Sequence, residues 1–214
     1  MIDTHVPGAQ AVLGGNDLFV GRHDGMNAAG LAIGITEVRG GRHTPGWLFS
    51  LACRHILNTY TTTEQAVAFL EAIPYLKNMN FLVADAAGTI AMVETSPRRA
   101  NVTYAENGFG VITNHFQSER MQPLESIKYR PPNSMQRWCR LQAWFNDRQE
   151  PITADHLKTI MGRPYPGGVW TVHKKSNRPV LGTVWSWVAA LGERAIQWAE
   201  GSPDGKTPYQ RIEF

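Results

Sequence analysis

Cysteine, long apolar runs and surplus charge are all scarce in this 214-residue chain, and each shortage excludes something. The two cysteines, Cys53 and Cys139, both fall inside helix-like patterns, which fits buried, reduced thiols and leaves no disulfide framework. No apolar run approaches the ~20 residues of a membrane-spanning helix, and no leader-like stretch follows Met1, so a cytoplasmic location without membrane contact is expected. Lys and Arg number 21 against 18 Asp and Glu, a net charge of only +3. The basic residues are scattered, with short pairs at Arg98–Arg99 and Lys174–Lys175, so no nucleic-acid partner is expected. The seven histidines show no metal-ligand spacing, so neither metal nor cofactor is expected. No GxSxG motif, internal repeat or low-complexity tract occurs.

What is present suits an ordinary globular protein. Apolar residues make up 43% and charged residues 18%, enough for one substantial core, so residues 1–214 are expected to form a single domain. The densest stretch is Asp24–Glu37, DGMNAAGLAIGITE. Gly25, Asn27 and Gly30 accept turn conformations, so Asp24–Gly30 is expected to be a compact turn. Leu31–Ile35 then alternates large and small side chains, which predicts a strand covered on both faces, with a layer close over Ala32 and Gly34. Glu37 closes that strand with the parity of the large residues. A carboxylate leaving a buried strand is a site candidate, although a solvated strand-end glutamate is the blander alternative.

Periodicity organises the rest. Ala11–Leu13 and Leu18–Val20 are strand candidates around a turn at Gly14–Asp17. Trp47–Tyr60 repeats apolar residues at helical steps, and Thr61 with Glu64 has capping-box spacing for a second helix that Pro74 stops. Phe81–Ala84, Thr89–Thr95, Asn101–Ala105 and Phe109–Thr113 predict a four-stranded antiparallel meander. A polar connection, Gln117–Asn133, leads to a helix over Ser134–Asn146 with Met135, Trp138, Leu141 and Phe145 on one face. Thr153 caps a shorter helix that Gly162 and Pro164 end. Strands return at Thr183–Leu191, Arg194–Ala199 and near Gln210–Phe214. The fold class is α+β, with antiparallel sheets and helices in layers.

Several side chains on this frame have chemical potential. Asn114 ends the meander's last strand, where an amide can donate to a developing oxyanion or simply close an Asx turn. Arg137 and Arg140 flank the Trp138/Leu141 face, where a guanidinium can hold a carbonyl or carboxylate or extend into solvent. His115 and His173 are conceivable bases, and His115, Trp138 and Trp170 conceivable substrate contacts. The seven tryptophans suit an apolar acyl chain and core packing equally.

Taken in order, DGMNAAGLAIGITE, AFLEAIP, FLVADAAGTIAMVETSP, GFGVITNHF, NSMQRWCRL and GTVWSWVAALGERAIQWAEGSP resemble the cysteine N-terminal-nucleophile (Ntn) amidases. The similarity is to the acyl-coenzyme A:6-aminopenicillanate acyltransferase-like group (peptidase C45), with choloylglycine hydrolases as relatives. The resemblance implies an αββα sandwich and the hydrolysis of linear amides, or acyl transfer with acyl-coenzyme A as co-substrate. It implies an amino-terminal cysteine nucleophile whose own α-amino group is the base. It also implies Asn114 as oxyanion donor, Arg137 as the residue orienting groups around the nucleophile, and Glu37 as the polar position closing the Gly-Leu-Ala strand. The sequence departs from the pattern because no cysteine precedes Cys53, and neither Cys53 nor Cys139 matches the nucleophile. The expectation is therefore an amidase body lacking its nucleophile segment and inactive by itself, with an exposed sheet edge suited to pairing with another copy. Two other readings stand beside it: a ligand-binding or regulatory protein on the same fold, and an unrelated hydrolase using Ser or Thr with His115 or His173.

Overall fold

A computed structural model of the chain describes residues 2–4, 6–16, 21–130, 133–170, 172–175 and 178–214. The strand expected at Leu18–Val20 and the end of the turn before it, Asp17, lie outside the described residues. The chain divides into two compact units, Met1–Met135 with Phe214, and Gln136–Glu213. No helix among the described residues is long and apolar enough to cross a membrane.

The first unit is built on one antiparallel meander of seven strands in chain order. They are β1 (Ile2–Thr4), β2 (Val12–Gly14), β3 (Gly25–Asn27), β4 (Ala32–Glu37), β5 (Met79–Ala84), β6 (Ile90–Ser96) and β7 (Arg99–Tyr104). Between β4 and β5 run two helices, α1 (Phe49–Thr59) and α2 (Thr63–Ala72). They cover one face of the sheet, where Ile56, Leu57, Ala66 and Leu70 meet Leu31, Ile33, Phe81, Val83 and Val93 in a single buried core. The alternation in Leu31–Ile35 produces this result, because the large side chains share one face of β4.

Three local expectations are corrected. Asp24–Gly30 is half strand: β3 occupies Gly25–Asn27, and only the following residues turn. Gly25 has φ +151, and a Cβ there would lie 2.5 Å from the Leu13 carbonyl, so the β2–β3 approach requires glycine. Asn27 is fully buried and organises the turn, with Oδ1 accepting from the Ala29 and Leu31 N–H groups. Its Nδ2 donates to Leu57 O at 2.9 Å and Tyr60 O at 2.8 Å, tying the end of α1 to the sheet. The second correction is the cap of α2, which is Thr62 with Gln65 and not Thr61 with Glu64; Gln65 Oε1 reaches back to the Thr62 N–H. The third concerns Gly34. A Cβ there would meet nothing within 4 Å, so no layer lies close over the small side of β4 at that point among the described residues.

The fourth meander strand is not formed either. Residues 109–112 leave the sheet edge after β7, and Gly110 sits where a Cβ would touch Ile90, Leu82 and Met92, on the sheet face opposite α1 and α2. Thr113 and His115 make only an isolated bridge. The run looks strand-like in sequence because aromatic and β-branched residues dominate it, yet it crosses a sheet face and does not extend the ladder.

The second unit holds most of α3 (Ser134–Asn146) and α4 (Ala154–Gly162), whose sequence-derived spans agree with the structure. Thr153 caps α4 in a capping box with His156. Strands β8 (Val172–Lys175) and β9 (Arg178–Gly182) form a hairpin that periodicity did not indicate. Strands β10 (Trp185–Val188), β11 (Ala195–Glu200) and β12 (Gln210–Glu213) form a three-stranded antiparallel sheet, close to the spans expected. The fold is α+β, as the sequence indicates.

Candidate active site

The face of the large sheet opposite the helices carries a row of polar residues across three strands. Register places Thr36 of β4 opposite Asn80 of β5, and Asn80 opposite Glu94 of β6. Asn80 and Glu94 are 1% and 5% exposed, and a strand tolerates polar groups so buried only when they are bonded. Here their partners lie in the segment that crosses the face. Thr36 Oγ1 donates to Thr113 O at 2.6 Å, while Asn80 Nδ2 donates to Thr113 O at 2.8 Å and to His115 O at 2.9 Å. Glu94 accepts from the backbone N–H groups of Gln117 and Ser118. Side chains therefore do for residues 113–118 what a backbone ladder would do for a strand.

Asn114 is the residue between those two clamped carbonyls. Its Nδ2 donates to the Glu37 carbonyl at 3.0 Å, which fixes the amide at the end of β4. The two positions singled out from sequence, 77 residues apart, are thus brought together. The contact uses the Glu37 backbone. The Glu37 carboxylate is exposed and pairs with Lys77 Nζ at 3.0 Å. His115 is 2% exposed. Its Nδ1 lies 2.8 Å from Ser134 Oγ and 3.0 Å from Thr113 Oγ1, and the two hydroxyls are 3.2 Å apart. This is a hydroxyl–imidazole pair, but with Ser134 fully buried it has no opening for an acyl group. A buried hydrogen-bonded cluster at the start of α3 is what the geometry provides.

The remaining sequence-derived residues belong to the second unit. Arg137 is half-buried on α3, and burial pulls its guanidinium below the ordinary arginine value. Trp138 beside it is half-buried too. Arg140 Nη2 donates to Gly167 O at 3.3 Å. Trp170 is half-buried, and its indole N–H donates to Ser202 Oγ at 3.1 Å in the Gly-Ser-Pro turn. The apolar face expected on α3 is only partly covered: Met135 is 40% exposed, and Ser134 is the one buried residue of the helix. Side-chain features of His173 lie outside the described residues.

The cysteines divide. Cys53 is fully buried as expected, and its thiol is pushed far up by burial, with the Asp24 charge adding to the rise. Cys139 is exposed on α3, which corrects the expectation that both are buried. Among the described residues, no group of three or more His, Cys, Asp or Glu is gathered to hold a metal.

Sequence reasoning missed Thr36, Asn80, Glu94 and Ser134. Asn80 interrupts the apolar run of β5 at the parity opposite its core-facing residues, and that interruption is the signal that could have found it. Thr36 and Glu94 share that parity but stand at the polar ends of β4 and β6, where they look like ordinary strand-end residues. Ser134, at the first turn of a helix, looks like an ordinary helix-start serine.

Comparison with known proteins places the fold and the family. The family model for acyl-coenzyme A:6-aminopenicillanic acid acyl-transferase matches residues 4–204. No curated protein matches the chain. Among solved structures, penicillin V acylase from Agrobacterium tumefaciens is similar at a TM-score of 0.62 and 20% identity, over 96% of this chain and 69% of that one. A mutant conjugated bile acid hydrolase from Clostridium perfringens is similar at a TM-score of 0.58 and 14% identity, over 96% of this chain and 82% of that one. At such identities the structures establish a shared fold, the Ntn-hydrolase arrangement of helices and antiparallel sheets. With the family model spanning nearly the whole sequence, the chain belongs to the acyl-coenzyme A:6-aminopenicillanic acid acyl-transferase family of Ntn amidases.

Proposed function

We propose that the chain is the body of an enzyme that cleaves linear amide C–N bonds or forms them by acyl transfer, with a cysteine outside residues 1–214 as nucleophile. The observation that carries the proposal is the anchored Asn114 amide, donating to the Glu37 carbonyl at 3.0 Å and flanked by carbonyls that Asn80 holds. A preorganised amide stabilises a developing oxyanion without reorganising during the reaction.

In this reading the cysteine thiolate adds to the amide carbonyl, and its own α-amino group takes up the thiol proton. Charge collects on the carbonyl oxygen, where Asn114 Nδ2 donates. Collapse of the tetrahedral species expels the amine, which leaves with the proton from the α-amino group, and a thioester remains. Water then releases the acid, or a second amine takes the acyl group; an acyl-coenzyme A thioester enters by the same acylation. Arg137 orients groups around the nucleophile, and Glu37 lies beside the reacting carbonyl. His115, Trp138 and Trp170 are proposed to shape the substrate environment, His115 from beneath the surface. Neither cysteine of the chain suits the nucleophile's role. Cys53 is sealed in the core, and a mid-chain residue such as Cys139 has its α-nitrogen tied up in a peptide bond and carries no free α-amino group. The names of the structural neighbours, an acylase and a conjugate hydrolase, support amide chemistry.

Intact-mass analysis of the protein isolated from its source tests this directly. A mature chain beginning with Cys, active on a panel of N-acyl amides, is the expected result. In that form Asn114→Ala should lower kcat on the order of 10²–10³-fold. A native chain with no amino-terminal cysteine and no turnover would favour the second reading, a ligand-binding protein on the same fold, which the placement of Cys53 and Cys139 also fits.

A further inference from the structure

Beneath the segment that carries Asn114 lies a cavity of about 230 Å³, lined by Asn80, Met92, Glu94, Thr103, Ile112, Gln117 and Ser118. All of these belong to the first unit. Its floor is the polar row of the sheet: Asn80 and Glu94 are direct cross-strand partners, and Thr103 stands opposite Met92 on β7. Among its lining residues, two neutral oxygens have no hydrogen-bond partner and one carboxylate has no cationic one among the described residues. Asn80 Oδ1 and Ser118 Oγ are buried with no hydrogen-bond partner among the described residues. The Glu94 carboxylate, 5% exposed, accepts from two backbone N–H groups but pairs with no cationic side chain among the described residues.

A carboxylate offers about four lone-pair positions, so Glu94 keeps acceptor capacity toward the cavity. A buried charge of this kind is costly unless an opposite charge or several donors face it. Each of the three groups can accept: a carboxylate, an amide oxygen and a hydroxyl, which also carries one proton to donate. The complement is a group with several N–H donors and a positive charge. The space exceeds that of a single bare ion and holds a few heavy atoms besides the charged head.

We propose that this cavity binds the ammonium group of a small primary amine, with Glu94 as counter-charge and Asn80 Oδ1 and Ser118 Oγ as further acceptors. The other end of the Asn80 amide holds the Thr113 and His115 carbonyls, so the occupant lies directly behind the loop that positions Asn114. The assignment rests on the cavity's own chemistry and stands whether or not the chain takes part in amide chemistry.

Thermal-shift and calorimetric titration of the chain with propylammonium chloride test it, with propan-1-ol and sodium chloride at matched concentrations as controls. Propylammonium should raise Tm saturably while the alcohol and the salt do not. Glu94→Gln should weaken binding on the order of 10- to 100-fold, as loss of a charged hydrogen-bond partner does. Should that variant fail to fold, Ser118→Ala removes a single hydroxyl and should weaken binding about 5-fold. An absent shift, an equal shift with sodium chloride, or full affinity in Ser118→Ala together with Glu94→Gln or, if that variant does not fold, in Ser118→Ala alone would each overturn the proposal.

Discussion

The two units of the chain bury their side chains in different ways. In the first, two helices lie on one face of a seven-stranded sheet, and Leu31, Ile33, Ile56, Leu57, Leu70, Phe81 and Val83 are at most 1% exposed. In the second, residues 136–146 of α3 include no buried residue, α4 has Ile160, and the small sheet contributes mainly β11, through Ala195, Ile196, Trp198 and Ala199. The first unit also encloses bonded polar residues, whereas those of the second stand mostly at its surface. A deep apolar core on one face of a sheet leaves the other face able to hold Thr36, Asn80 and Glu94 in fixed positions, and those residues set the loop carrying Asn114.

Core truncation should sharpen this contrast most. Phe81→Ala removes a fully buried ring and is expected to cost about 3–5 kcal/mol in urea unfolding, against about 2–5 kcal/mol for Ile196→Ala in the second unit. A loss at Phe81 no larger than that at Ile196 would show that the first unit is not the better packed. Next in size is Asn80→Ala, expected to cost about 2–3 kcal/mol because the Thr113 and His115 carbonyls lose a buried donor. Amide exchange localised to residues 113–118 would distinguish loosening of that loop from general unfolding.

A smaller effect is pH-dependent. Asp85, 5% exposed, receives the Thr63 N–H at the start of α2 and the Ala87 and Thr89 N–H groups of its own turn. Burial alone would raise its pKa, but these hydrogen bonds outweigh it and hold the carboxyl below 3.8. Because the folded value lies below the unfolded one, the stabilisation is complete above 3.8 and lost as pH falls through the folded value. The midpoint of urea unfolding should therefore drop below pH 3.8 in the native chain and drop less in Asp85→Asn. Identical acid profiles would remove Asp85 from the account.

The smallest stability change is expected at Glu37. Its ion pair with Lys77 is half-exposed, so Glu37→Gln should change stability by no more than about 0.5–1 kcal/mol. In an active mature form the same change should impair acylation. Unaltered turnover would leave Glu37 as the strand end whose carbonyl holds Asn114.

Elements with a strong period or a local stop were legible in advance. The Ser134–Asn146 helix, the Thr153 cap and the large-to-small alternation of β4 all follow from interactions within a few residues. Residues 109–113 were not, because an extended segment has the same composition whether it pairs with a strand or crosses a sheet face. The cap of α2 slipped by one residue for a related reason. Thr61 and Thr62 are equivalent in sequence, and the Asp85 carboxylate and Thr89 carbonyl, which take up the Thr63 N–H and hydroxyl, come from 22 and 26 residues away.

By itself the sequence determined the α+β class, the helices and most strands, and the family, because each depends on residue order or short-range spacing. Only the tertiary structure decided that Asn114 meets the Glu37 carbonyl, that Asn80 and Glu94 hold the loop around it, and that His115 faces Ser134 within the interior. Those contacts join positions 19 to 77 residues apart. The bonds form only because packing of the two helices against one sheet face presents the opposite face to the crossing loop.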